Sequence, residues 1–366
     1  MTKNNRPFTL YLASYYFSYF ALVGVYIIFL PKALLDLGYS TFEVGIVYAA
    51  APFMRFLLPF LFRKYITLTF KIYLLSLILT FMATLLFISS VNSFEFYLAS
   101  NLLFGASMGV SLPYVESIAL SKLSRSVYGK VRLWGSLGFM GISLLLGKVL
   151  TEPGQALDYL SIMAFLTLIF GATLIKYDQN KYDSNEKSSF SLSKYWAFWL
   201  SMIMMQIGFG GFYNFFTIYQ TQHGVSLEII SWMWSVGIIC EILMLYFQGP
   251  LLQRNLLNIL KFATLITSAR WLILYLYPDS ITMTFFSQSL HAFSFALYHT
   301  AAITYVYTLY TQKKLAQQFF LGIAFGLGGS IGALISGEIY GESIFLIESI
   351  ITFISFMILL IHQKRI

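Results

Sequence analysis

Twelve runs of about 20 predominantly apolar residues follow one another along the chain, each long enough to cross the roughly 30 Å of hydrocarbon in a bilayer. Inside lipid no water can satisfy an exposed backbone amide or carbonyl, so such runs must fold as helices. They fall at about 8–30, 43–62, 70–90, 94–118, 131–151, 157–176, 195–220, 226–248, 256–277, 281–307, 315–337 and 342–362. Hydrophobic residues make up 58% of the 366 residues and charged residues only 10%, which excludes an ordinary soluble domain. The fold class expected is an all-α polytopic membrane protein of twelve transmembrane helices. The first run is too long for a signal peptide, and no small-residue cleavage site follows it, so it is expected to stay as a span.

The net charge of +8 is distributed in short clusters between the runs rather than gathered in one patch, which argues against a nucleic-acid surface. Membrane topology accounts for it better. With both termini placed in the cytoplasm, nearly every loop Lys and Arg falls on that side, while Lys32 and Lys148 fall outside and Arg55, Arg132 and Arg270 lie within spans. That bias is the positive-inside pattern. The long polar stretch midway, KYDQNKYDSNEKSSFSLSK, reads as a cytoplasmic linker at 177–194 between bundles at 1–176 and 195–366, six helices each. Glycines recur in the fifth run (Gly135, Gly138, Gly141, Gly147) and in the eleventh (Gly322, Gly326, Gly328, Gly329, Gly332, Gly337), a repeat signal of transporter folds that close packing alone would also produce.

The chemistry concentrates where lipid would penalise it. Glu241 lies midway in SWMWSVGIICEILMLYFQG, Arg270 in TSARWLILYLY, and His291 and His299 in FFSQSLHAFSFALYHTAAITYV. A charge at the bilayer centre costs about 2.5–3.5 kcal/mol or more, so each is read first as part of a substrate or proton pathway. A glutamate that alternately meets and loses an arginine can bind and release a proton, and Glu241 with Arg270 could form such a pair. A static ion pair that fixes helix register would use the same residues. His291 and His299, eight residues apart, would lie about 80° and 12 Å apart along one helix side, and histidine can relay protons near neutral pH.

In the first half, Glu116 closes the fourth run and Arg132 opens the fifth, where a guanidinium could clamp a carboxylate substrate. Arg55, between Pro52 and Pro59, is a further candidate substrate-binding residue and is expected to need Glu116 or a backbone carbonyl as partner. Phe209, Tyr213 and Phe216 share helical spacing, and Tyr213 is the candidate ring for an aromatic or sugar ligand. Cys240 is the one cysteine, which excludes an internal disulfide, and no His, Cys or carboxylate stands at metal-ligand spacing. No phosphate-binding loop, zinc-protease motif or serine nucleophile elbow is present, so neither an enzyme nor a cofactor is expected.

The stretches YGKVRLWGSLGF, WSVGIICEI, ARW and QSLHAFSFALYH, together with twelve runs split by a central linker, resemble the major facilitator superfamily, and within it the bacterial phenylpropionate permease group, relatives of lactose permease and the nucleoside:proton symporters. The resemblance implies proton-coupled symport of a small organic solute across the bacterial inner membrane, by alternating access to a central site between the bundles. It favours an aromatic carboxylate over a sugar or nucleoside. It further implies substrate roles for Glu116 and Arg132 and coupling roles for Arg270 and His291. Where the lactose permease pattern has its proton-carrying glutamate, this chain has Ser294, which moves that role to Glu241. The loop LPFLFRKYITL lacks the glycine and aspartate of the superfamily's gating signature. Proton-driven efflux of amphipathic compounds and a non-transporting membrane sensor are the alternative readings.

Overall fold

A computed structural model describes residues 6–64, 68–178, 192–311 and 313–362. Among these, the secondary structure is helical. The spans are α1 (Arg6–Asp36), α2 (Thr41–Lys64), α3 (Phe70–Ser90), α4 (Phe94–Lys122), α5 (Arg125–Val149) and α6 (Gln155–Leu174), then α7 in two pieces (Trp196–Ile207 and Gly210–Gln222), α8 (Leu227–Phe247), α9 (Leu256–Leu276), α10 (Ile281–Leu309), α11 (Lys313–Glu338) and α12 (Ile344–Ile361). Nine helices of the described residues are long and apolar enough to cross a membrane. The other three expected spans are helical as well: α5, α7 and α10. The first is loaded with Lys130 and Arg132, the second breaks after Ile207, and the third changes its winding within its length. Residues 65–67, and residues 179–191 of the expected linker, lie outside the described residues.

The helix starts follow local capping chemistry. Thr69, Ser226, Asn255 and Ser280 each accept a first-turn backbone amide on their side-chain oxygen at the head of α3, α8, α9 and α10. Three spans contain a π-helical stretch: Val25–Phe29 in α1, Ala292–Leu297 in α10 and Leu321–Gly328 in α11. Such widened turns re-aim side chains and gather at functional positions.

The chain packs as two compact units, Met1–Ser40 with Phe60–Asn185, and Thr41–Pro59 with Glu186–Ile366. Most of α2 therefore groups with the later helices, whereas the sequence expectation assigned it to residues 1–176. In the first unit α1 packs against α5 and α6, and α3 against α4 and α6. The glycines of α5 serve that approach. A Cβ on Gly138 would stand 2.1 Å from the Phe17 carbonyl oxygen of α1. In the second unit α9 and the first piece of α7 pack against α12, and α11 lies along both pieces of α7.

Candidate functional site

Arg270 is fully buried on α9, and its guanidinium is held by three neutral acceptors from one helix. Nη1 donates to His291 Nδ1 at 2.9 Å and to Ser294 Oγ at 2.9 Å, and Nη2 donates to Gln288 Oε1 at 3.0 Å. Residues 288, 291 and 294 stand three apart, a row that faces α9 as α10 passes into its π-helical stretch. Ser287 closes the clasp from the same helix by donating to the Arg270 carbonyl at 3.1 Å. The guanidinium carbon lies 4.4 Å from the Phe212 ring centroid and 4.5 Å from that of Trp271. A buried cation over two aromatic faces gains on the order of 2 kcal/mol from such contacts.

An arginine has no acceptor to offer, so His291 Nδ1 must be the unprotonated nitrogen of the imidazole. The ring proton then sits on Nε2, which faces Glu241 Oε2 of α8 at 3.7 Å. His291 thus stands between Glu241 and Arg270, the direct pair expected from the sequence, and the contacts run Arg270, His291, Glu241. A second proton on His291 would have to occupy Nδ1, where Arg270 already points a donor. Double protonation of the ring and the Arg270 clasp therefore exclude each other.

His291 is 6% exposed, and Phe295 stacks on it at 5.1 Å with the planes 3° apart. His299 lies a further turn along and does not join the clasp: its ring sits 5.9 Å from Phe295, 5.7 Å from Phe320 and 5.2 Å from Phe325. Its Nδ1 is buried and, among the described residues, has no hydrogen-bond partner. Tyr213 stacks on Phe209 at 5.4 Å and is partly exposed, whereas Phe209 and Phe216 are buried. The expected stripe therefore divides into two packing rings and one available phenol.

The first unit holds a second constellation. Glu116 Oε1 accepts from Arg132 Nε at 3.1 Å, while its Oε2 accepts a short hydrogen bond from the Tyr128 hydroxyl. Arg132 lies over Phe20 at 4.1 Å and over Tyr16 at 5.2 Å. The Glu116 and Arg132 side chains are 22% and 31% exposed, so the pair remains open to an incoming ligand. Arg55 lies on α2 in the other unit with an exposed side chain, and the partners of Glu116 are Arg132 and Tyr128.

Sequence reasoning overlooked Gln288, Phe212 and Tyr128, whose residue types carry no signal in an apolar span. It also passed over Glu348, the one ionisable residue of α12, which is 1% exposed. A lone carboxylate in the middle of IFLIESIITFISFMILLI was legible by the same rule that singled out Glu241.

Buried charge clasped by polar side chains inside a bundle of membrane helices is an arrangement that suits a polytopic transporter. The chain matches the MFS_1 like family over residues 9–353 and belongs to that family. It is similar to the "Probable 3-phenylpropionic acid transporter" of Escherichia coli (strain K12), with 24% identity over 365 residues covering 94% of this chain and 95% of the relative. The "Uncharacterized transporter YwbF" of Bacillus subtilis (strain 168) is 24% identical over 251 residues, covering 66% of this chain and 61% of that protein. Among solved structures, a mutant form of the nucleoside transporter NupG superposes with a TM-score of 0.82 at 17% identity, covering 97% of this chain and all of that one. A mutant form of the peptide transporter POT superposes with a TM-score of 0.71 at 11% identity, covering 97% and 92%. The fold is that of the major facilitator superfamily, and the protein is a multi-pass membrane transporter.

Proposed function

We propose that the protein is a proton-coupled symporter of a small organic anion, with an aromatic carboxylate as the favoured substrate class. The observation that carries this reading is the row Arg270, His291, Glu241, a hydrogen bond of 2.9 Å followed by an approach of 3.7 Å. A proton arriving on Glu241 removes the negative charge that His291 Nε2 faces, which changes the electrostatic balance around a cation whose hydrogen-bond acceptors are neutral. Glu241 carries the proton, and Arg270 and His291 connect it to the substrate. Arg132 and Glu116 orient the substrate in the first unit, and Tyr213 offers an aromatic face in the second. The name of the E. coli relative supports the aromatic acid, and two arginines suit its carboxylate. The charge bias of the loops supports an inner-membrane location with both termini cytoplasmic. Coupling requires that proton and substrate each favour the same facing of the protein, so that each raises the affinity for the other.

The test uses purified protein in proteoliposomes with a pH-sensitive dye outside. Addition of 3-phenylpropionate should drive proton entry, and Glu241→Gln should abolish this uptake while substrate exchange continues. Uphill accumulation that survives in Glu241→Gln would remove the proton-carrying role, and outward movement of substrate along with inward protons would make the protein an exporter.

A further inference from the structure

The clasp around Arg270 contains no carboxylate, yet a carboxylate lies buried nearby. Glu348 Oε1 accepts a short hydrogen bond from the Gly211 amide, and the Phe212 amide and Ser336 hydroxyl stand beside the same group. Gly211 lies in the first turn of the second piece of α7, where the amides have no intrahelical acceptor and the helix dipole favours a negative charge. The break itself is built from GFGG, residues 208–211, and its bareness is required. A Cβ on Gly208 would stand 2.4 Å from Thr352 of α12, and one on Gly211 would stand 2.7 Å from Glu348 Oε1.

Two orphaned atoms of opposite kind complete the picture. Glu348 Oε2 and Arg270 Nε are both buried and, among the described residues, have no hydrogen-bond partner. Mutual hydrogen bonds between Ser268 and Ser349, at 2.8 and 2.9 Å, bind α9 to α12 next to both residues, and Phe212, the neighbour of Gly211, lies under the guanidinium. Arg270 and ionised Glu348 carry opposite charges and are both buried, on helices that pack against each other. Of the other elements packed on α12, the first piece of α7 has no ionisable side chain; the second has Tyr213 and Tyr219, with His223 just past its end, and α9 adds Lys261 and Tyr275 to Arg270.

We propose that Glu348 is the counter-charge that positions Arg270, and that a proton binding to it loosens the arginine and the start of the second piece of α7 together. Ionised Glu348 holds the Gly211 amide and balances the guanidinium. Once protonated it keeps its shape but loses its charge, so both attachments weaken in one event. This deepens the proton-coupled reading above by adding a second proton site, and it can be tested without any transport measurement.

The experiment is a pH titration of the purified full chain by infrared difference spectroscopy, paired with hydrogen–deuterium exchange of peptides spanning 205–213 corrected for intrinsic exchange. Wild-type protein should show a protonated-carboxyl band that is lost in Glu348→Gln and retained in Glu241→Gln. Arg270→Gln should move the pH at which that band appears by ~1 unit or more. Exchange in 205–213 should rise roughly tenfold as the band appears, and in Glu348→Gln it should be fast at every pH. If Glu348→Gln does not fold, Glu348→Asp must change the frequency of the band. A band unchanged in the Glu348 variant, or exchange that ignores both pH and the substitution, overturns the proposal. If the titration behaves as expected but no proton uptake accompanies 3-phenylpropionate, the symport reading fails while Glu348 stands.

Discussion

The Arg270 guanidinium reaches His291 Nδ1 at 2.9 Å, and this single contact places the imidazole proton on the edge that faces Glu241, 3.7 Å away. The histidine is therefore a directional element: one nitrogen is committed to a fixed cation, and the other is left to a carboxylate on a different helix. Glutamine at position 291 could still offer a carbonyl to Arg270 but cannot pass a proton. In His291→Gln, folding measured by thermal melting should be retained, while substrate-driven proton uptake should fall about 100-fold. Coupling at wild-type rates would show that the ring only positions Arg270.

Arg270 itself should resist even conservative change. Lysine lacks the planar fork that reaches Ser294, His291 and Gln288 at once, and it would leave some of those acceptors without a donor. Arg270→Lys should destabilise the protein by about 3 kcal/mol, read as a lower melting temperature, because a buried charge loses its partners. An unchanged melting temperature would mean that the clasp is not needed for stability.

Close approach between α2 and α11 depends on a glycine pair. A Cβ on Gly45 would stand 2.8 Å from the Ala333 carbonyl oxygen and 2.8 Å from Gly337 Cα, with no flexible side chain to yield. Gly45→Ala should cost about 1–3 kcal/mol by overpacking, whereas Gly154→Ala, with nothing within 4 Å of its new methyl group, should melt like wild type. Comparable melting of both variants would remove the packing argument.

The Arg132 and Glu116 pair is half-open, so its worth lies more in ligand geometry than in stability. Arg132→Lys should weaken binding of 3-phenylpropionate about tenfold, measured by ligand-dependent thermal shift, since an ammonium cannot hold a carboxylate with two parallel donors. Glu116→Gln keeps the shape of the site and an acceptor for Tyr128, and should leave folding intact. Full affinity in Arg132→Lys would exclude a bidentate role.

Outside the spans, His362 gives a pH dependence with a definite sign. Burial, and then the nearby Lys261, hold its imidazole below the ordinary histidine range, and its Nε2 lies 2.9 Å from the Tyr305 hydroxyl. The unfolded chain takes up this proton more readily than the folded one. The contribution is therefore complete above the usual value of about 6.5 and is lost as pH falls below it. Melting temperature should decline between about pH 7 and pH 5, and the decline should be shallower in His362→Gln. Equal slopes would assign the effect to other buried histidines.

What the sequence determined was the architecture and the inventory of costly groups. Runs of about 20 apolar residues can only be spans, because backbone groups in lipid must bond within their own helix. The same cost marked Arg270, Glu241, His291, Glu116 and Arg132 without any coordinates, and the matching motifs led to the family. It could not determine which acceptor serves which donor. Glu241 and Arg270 looked like a pair because they sit on neighbouring spans, but the π-helical stretch of α10 turns Ser294 toward Arg270 in line with His291, and side-chain direction there no longer follows the regular 3.6-residue period. The break at Gly208 and Phe209 was equally illegible, since both residues also occur in unbroken membrane helices. Thr352 and Glu348 of α12 occupy the room that the glycines of the break leave. Composition and periodicity act along one helix, whereas the clasp and the break arise from contacts between helices distant in sequence. Only the tertiary structure could decide them.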